Sequence, residues 1–254
     1  MKFFIENRYR QKLAILVEEA VNQKGLVFVM HGLRSWKEEP HMQAFSESFA
    51  SNDFTVVRFD VANTFGESEG DYTLGTATNF YEDLEDVISW SKTQEWYEEP
   101  FWLVGHSMGG MSVARYAENH PAVVKALALI STVVSGALRR ATFGKEVLKQ
   151  WEQTGWLIKH SNSRSEVVKV SWQEMEDLMQ YDLLPKAEKL TMPVLMIVGD
   201  KDTKTPIEHQ EMFYKKLPGK KELYIIQGAS HLFVAAEHLE EIKSIIDEWI
   251  KSNL

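Results

Sequence analysis

Cysteine is absent from all 254 residues. Disulfide scaffolds, thiolate nucleophiles and cysteine-held zinc or iron–sulfur centres are therefore excluded. The absence is compatible with a reducing cytoplasm, the compartment expected here. Basic residues are outnumbered, with 28 Lys and Arg against 37 Asp and Glu and a formal net charge of −9. No Lys/Arg-rich run offsets that balance, so nucleic acid is not expected as a partner. Lys220-Lys221 and Arg139-Arg140 read as isolated solvated pairs on a turn and a helix face. Long apolar runs are lacking too. Nothing approaches the roughly 20 residues that a membrane span needs, and Glu6, Arg8 and Arg10 interrupt the apolar start before a secretory segment could form. A soluble, unprocessed protein with no membrane partner is expected.

What is present suits a globular chain: 44% hydrophobic and 26% charged residues. A length near 250 fits two small domains or one large α/β or barrel domain. Short apolar runs of strand length recur at 26–30, 54–59, 101–104, 123–130, 194–198 and 223–226. Between them lie stretches of helical spacing, about 39–50, 77–92, 109–119, 207–216 and 235–251. Strands alternating with helices imply right-handed crossovers and a parallel sheet covered on both faces. Residues 2–6 and 12–18 alternate around a polar connection, which predicts an antiparallel edge pair. From about Val133 to Leu190 the alternation stops and helical spacing dominates. Leu148 and Trp151 lie three apart, and Trp172, Met175 and Met179 share one helical face. The expected organisation is a core of residues 1–132 and 191–254 carrying a small helical cap, 133–190, over the carboxyl edge of the sheet.

The strand at 101–104 runs into Gly105-His106-Ser107-Met108-Gly109-Gly110 and then into a helix. This is G-x-S-x-G in the strand–turn–helix context that gives the motif its meaning. The glycines leave room for a tight turn that holds the Ser107 hydroxyl above the sheet. A serine hydroxyl is a weak nucleophile at neutral pH and needs a base, which in turn needs an orienting carboxylate. Each is available just after a predicted strand: Asp200 and Asp202 follow 194–198, and His231 follows 223–226. Either aspartate could reach one side of its strand end, and the other would then be a turn former. Loops at the carboxyl ends of parallel strands are where open α/β sheets place their sites.

These three motifs, in the order Ser, Asp, His, resemble those of the α/β-hydrolase superfamily. The His31-Gly32-Leu33 turn, the Arg58-Phe59-Asp60 strand end and the 66–70 loop Gly-Glu-Ser-Glu-Gly are similar to it as well. Within that superfamily the spacing and the insert look most like bacterial feruloyl (cinnamoyl) esterases and small carboxylesterases. The resemblance implies an α/β-hydrolase fold with a mostly parallel sheet of about eight strands. It also implies a serine hydrolase with Asp202 as the triad acid and no cofactor. Backbone N–H groups stabilise the oxyanion in such enzymes. Position assigns one to Met108, the residue after the nucleophile at a helix N-terminus, and the family pattern assigns the other to Leu33. A small-molecule ester is the implied partner.

Further pocket candidates are His31, Arg34, Trp36, His106, Trp151, Trp172, Met175 and Met179. His31 is expected to brace the oxyanion loop, and His106 should point away from Ser107 along the strand. Arg34 and Trp36 suit the entrance, or else a surface Arg and a packed Trp. Phe143, Trp151, Trp156, Trp172, Met175 and Met179 suit an apolar or aromatic substrate group, or else cement the cap. The remaining histidines, His41, His120, His160, His209 and His238, lack metal-ligand spacing, so no metal is expected. Two other readings are weaker. Asp200-Lys201-Asp202-Thr203 resembles the nucleophile loop of haloacid-dehalogenase-type phosphatases, but it sits late in the sequence with no acidic strand end after it. A non-catalytic binding protein of the same fold usually lacks a triad member, and here all three are present. Thioesterase, amidase, peptidase and acyltransferase chemistry share the triad.

Overall fold

The computed structural model describes residues 1–160 and 167–254. In chain order its elements are strands β1 (Lys2–Glu6), β2 (Lys12–Glu18) and β3 (Gly25–Met30), helix α1 (Pro40–Ala50), β4 (Phe54–Phe59), α2 (Ala77–Ser91), β5 (Phe101–His106), α3 (Met108–Asn119) and β6 (Val124–Ile130). There follow α4 (Gly136–Ala141), α5 (Lys145–Thr154), β7 (Trp156–His160), β8 (Val167–Ser171), α6 (Trp172–Leu178), β9 (Val194–Gly199), α7 (Ile207–Lys216), β10 (Lys221–Ile226) and α8 (Ala236–Lys251).

Eight strands form one sheet in the order β1-β2-β4-β3-β5-β6-β9-β10. Its first two pairings are antiparallel and the other five parallel, so the antiparallel ribbon expected at the N-terminus lies at an edge. The central strands read as unbroken apolar runs because both faces are covered. Leu26, Phe28 and Met30 of β3 join the core that holds α2 and α3, whereas Val27 and Val29 join the core under α1 and α8. Leu127 and Leu129 of β6 divide from Ala126 and Ala128 in the same way. Such double coverage places this sheet among α/β architectures with helices on both faces.

The order of strands also positions the loops. From β3 the chain crosses to β4 on one side, and β5 pairs on the other, so a crevice opens at the carboxyl end of β3 and β5. Met30 and Gly105 are register partners at that end. The turn holding Leu33 and the turn holding Ser107 therefore leave the sheet side by side. Ile130 pairs with Ile197, and Gly199 with Ile226, which brings the loops of Asp202 and His231 to the same edge.

The stretch between β6 and β9 is not wholly helical as expected. Alongside α4, α5 and α6 it holds an antiparallel hairpin, with Trp156 opposite Ser171 and His160 opposite Val167. The hairpin arises from a short period-two pattern: Val168 and Val170 are buried while Val167 and Lys169 face outward. Residues 161–166 of the expected cap lie outside the described residues. Trp151 anchors α5 to this hairpin through an indole N–H donated to the Val170 carbonyl at 3.0 Å, and packs edge-on against Trp172 and Phe143. The segment is tied to the sheet domain by Thr78, whose N–H donates to the Asp177 carboxylate at 2.9 Å. Among the described residues no helix is long and apolar enough to cross a membrane.

Candidate active site

Ser107 occupies the turn between β5 and α3 with φ 56° and ψ −114°. That conformation is unfavourable for a residue with a side chain and persists only when its surroundings enforce it. Here the Ser107 N–H donates to the Ile130 carbonyl at 3.0 Å, and its own carbonyl accepts from Val133 N–H at 3.1 Å. Close approach explains the flanking glycines. A Cβ on Gly105 would stand 2.5 Å from the Gly109 carbonyl carbon, and one on Gly109 would stand 2.4 Å from the carbonyl oxygens of Met30 and His31. The α3 N-terminus is thereby pressed against the end of β3.

The structure brings Ser107, His231 and Asp202 together. His231 Nε2 is 3.0 Å from Ser107 Oγ, and its Nδ1 is 2.7 Å from Asp202 Oδ2. Asp202 is buried, and its second oxygen accepts N–H bonds from Lys204 at 2.8 Å and Thr205 at 3.0 Å. The Thr205 hydroxyl lies 2.7 Å from Oδ2. Burial alone would raise the Asp202 carboxyl. The hydrogen bond and charge of His231, with the Thr205 donors, overcome it and hold the group below the usual carboxylate range. His231 is lowered from its ordinary value, chiefly by burial, against the raising effect of Asp202. A neutral, Nδ1-protonated imidazole with its Nε2 lone pair toward Ser107 is the state this environment favours.

Asp200 stands apart from this line. Its carboxylate accepts Gly228 N–H at 2.6 Å and pairs with Lys201 at 3.0 Å, fastening the loop after β9 to the loop after β10. The two aspartates thus divide as turn former and buried acceptor.

A cavity of about 120 Å³ opens over Ser107 and is bordered by Leu33, Met108 and His231. Among the described residues neither the Leu33 nor the Met108 amide donates to a protein acceptor. Of the remaining pocket candidates, Arg34, His106, Trp151 and Met175 border this cavity, and so does Phe143. His31, Trp36, Trp172 and Met179 do not. His31 is fully buried, with Nδ1 donating to the Gly32 carbonyl at 2.7 Å and Nε2 accepting from Val61 N–H at 3.1 Å. It clamps the loop that carries Leu33, as a brace. Trp36 sits half-buried in a turn closed by its own carbonyl and Glu39 N–H. Trp172 is spent on packing against Trp151, and Met179, one residue past the end of α6, is 45% exposed. His106 turns to the far side of β5, where its Nε2 lies 2.8 Å from the His231 carbonyl and its ring packs on His41.

Sequence reasoning missed four charged residues on the cavity wall: Arg139, Lys159, Glu174 and Lys204. Arg139, read above as half of a solvated pair, faces the cavity. Glu174 bonds the Arg34 guanidinium through both oxygens, joining α6 to the loop after β3. Lys204 had a local signal, two residues after Asp202. Lys159 had a fainter one, sharing a face of β7 with Leu157. Among the described residues no group of His, Cys, Asp or Glu could hold a metal ion.

Comparison with known proteins agrees with the fold. The structure is similar to that of Est1E from Butyrivibrio proteoclasticus with ferulic acid bound, with TM-score 0.84, 22% identity, and coverage of 99% of this chain and 98% of that one. It is similar also to mouse alpha/beta hydrolase domain-containing protein 10, with TM-score 0.81, 21% identity and 99% of both chains covered. A 31.7 kDa Escherichia coli protein from the traX-finO intergenic region is 24% identical over 95% of this chain and 96% of its own length. The family model described as serine aminopeptidase, S33, matches residues 21–182, and one described as PhoPQ-activated pathogenicity-related protein matches 151–253. The first match spans well over half of the sequence, including the turn at Ser107 and the loop after β3, and the chain belongs to that S33 family of α/β hydrolases.

Proposed function

We propose that the chain hydrolyses small carboxylic esters through a Ser107–His231–Asp202 triad and an acyl-enzyme intermediate. The observation that carries this reading is the continuous hydrogen-bonded line from Asp202 Oδ2 through the imidazole to Ser107 Oγ, with links of 2.7 and 3.0 Å. In the first step His231 Nε2 takes the serine proton as Oγ attacks the ester carbonyl, and Asp202 steadies the resulting imidazolium. The oxyanion is received by the Leu33 and Met108 N–H groups, the latter at the positive end of α3. Losing one such donor typically costs about 3 kcal/mol in the barrier. His231 then protonates the departing alcohol. In the second step it activates water, which releases the acid and restores the serine.

Phe143, Trp151 and Met175 supply an apolar wall beside the nucleophile, suited to a short acyl or aromatic group. The test is turnover of a panel of acetyl, butyryl, octanoyl and hydroxycinnamoyl esters by wild type and Ser107→Ala. The expected result is hydrolysis of the shorter esters by the wild type and none above background by the variant. Matching p-nitroanilides and thioesters should be slower. Undiminished hydrolysis by Ser107→Ala would overturn the assignment.

A further inference from the structure

The wall above Ser107 is more basic than an ester with two apolar halves requires. Arg34, Arg139, Lys159 and Lys204 border the cavity, with Glu174 as the acidic residue among them, in a chain whose net charge is −9. The four come from separate segments: the loop after β3, α4, β7 and the loop after β9. Their convergence is therefore not a by-product of one cationic run. Glu174 is already engaged by Arg34. The Arg139 guanidinium lies 4.4 Å from the centre of the Phe143 ring and donates to the Thr142 hydroxyl, and neither partner carries charge. Among the described residues the ammonium groups of Lys159 and Lys204 have no carboxylate partner. Both lysines are partly buried, and such cations normally have a countercharge. Burial first, then repulsion from Arg34 and Arg139, pulls Lys159 down to about 7 and Lys204 to about 8.

We propose that the ester taken by this site bears an anionic group, a carboxylate or a phosphate, which Lys159, Lys204 and Arg139 hold beneath the cap while Ser107 attacks the carbonyl. The proposal rests on the ester-hydrolase reading and narrows its substrate class. A purely apolar substrate would leave these ammonium groups unpaired and drive them toward the neutral form, whereas an anion beside them holds them charged. A free α-ammonium, as in an aminopeptidase substrate, would add another positive charge to the wall. The cavity of about 120 Å³ suits a short chain between carbonyl and anion. Lys204 also borders a second hollow that shares His231 and Leu232 with the first, so its ammonium can be reached from both.

The experiment pairs each anionic ester with a neutral counterpart. p-Nitrophenyl hemiglutarate against p-nitrophenyl butyrate places the charge on the acyl side, and 4-acetoxybenzoate against phenyl acetate places it on the alcohol side. At least one anionic ester should exceed its counterpart tenfold or more in kcat/KM, and 1 M salt should erode the preference. Lys159→Gln and Lys204→Gln should each lower the anionic-to-neutral ratio at least fivefold. Competitive inhibition by glutarate but not inorganic phosphate would assign the group as carboxylate, and the reverse as phosphate. Ser107-dependent turnover that favours the neutral esters, with ratios unmoved by either lysine variant, would overturn the proposal while leaving the ester-hydrolase reading intact. Turnover of none of the four esters would end both.

Discussion

Asp202→Asn is the substitution whose outcome the local hydrogen bonds dictate most fully. The two oxygens of Asp202 are not equivalent. Oδ1 accepts two backbone N–H groups, from Lys204 at 2.8 Å and Thr205 at 3.0 Å, whereas Oδ2 faces His231 Nδ1 at 2.7 Å. An asparagine must place its one carbonyl oxygen somewhere. Turning its NH₂ toward the two backbone donors would break two hydrogen bonds, each worth about 1 kcal/mol, and set N–H against N–H in a buried site. The carbonyl will therefore sit at Oδ1 and the NH₂ at Oδ2. There it donates to His231 Nδ1, which must give up its proton, and the proton moves to Nε2. The imidazole then presents N–H to Ser107 and cannot act as base. A tautomer reversal of this kind costs about 10⁴ in kcat in serine proteases, or about 5 kcal/mol at 1.36 kcal/mol per tenfold. We expect a fall of about 10³–10⁴ in kcat for p-nitrophenyl acetate with little change in melting temperature. Asp200→Asn, which keeps an oxygen for Gly228 N–H, should stay within about threefold of wild type. An Asp202→Asn enzyme within tenfold of wild type, or one no worse than Asp200→Asn, would refute the reasoning.

Three further outcomes follow from the buried charges. His231 is lowered from 6.5 chiefly by burial, and the proposed base acts only when neutral. The acid limb of kcat/KM should therefore fall below pH 6.5, and a pH–rate profile with its acid midpoint above 7 would contradict this. Lys204 is one of the cations that lowers His231, so Lys204→Gln should move that limb upward. Asp60→Ala should be the severe stability variant. Asp60 is fully buried, pairs with the buried Lys37 ammonium at 2.8 Å, and accepts N–H bonds from Lys37 and Glu67. Leaving Lys37 partly uncompensated should cost about 3–5 kcal/mol. Urea unfolding checks it, and a loss under 1 kcal/mol would reject the pairing as a stabilising contact.

The parts of this molecule that were legible in the sequence share one physical cause. Central strands such as 26–30 and 194–198 read as unbroken apolar runs because helices cover both faces, and the antiparallel start read as alternation because it lies at an edge. Ser107, Asp202 and His231 could be found because each follows a strand end, where a parallel sheet gathers its loops. The β7–β8 hairpin was hidden because only Val168 and Val170 mark its inward face, within a stretch dominated by helical spacing. Basic residues of the cavity wall lie at 34, 139, 159 and 204; Arg34 reads as an entrance candidate, but no local pattern joins the other three to it. Lys37 stands beside Glu38 and Glu39 in the sequence, yet its side chain is 1% exposed and pairs with Asp60, 23 residues away. Local patterns disclose what one element buries, whereas pairings between distant segments leave no such trace.

The most direct test of the account is covalent labelling of the intact protein with a fluorophosphonate, followed by mass-spectrometric mapping of the adduct. One equivalent bound at Ser107 in the wild type, with labelling lost in Ser107→Ala and slowed at least a hundredfold in His231→Ala, is the predicted result. An unlabelled wild type, or an adduct on another residue that persists in both variants, would contradict it.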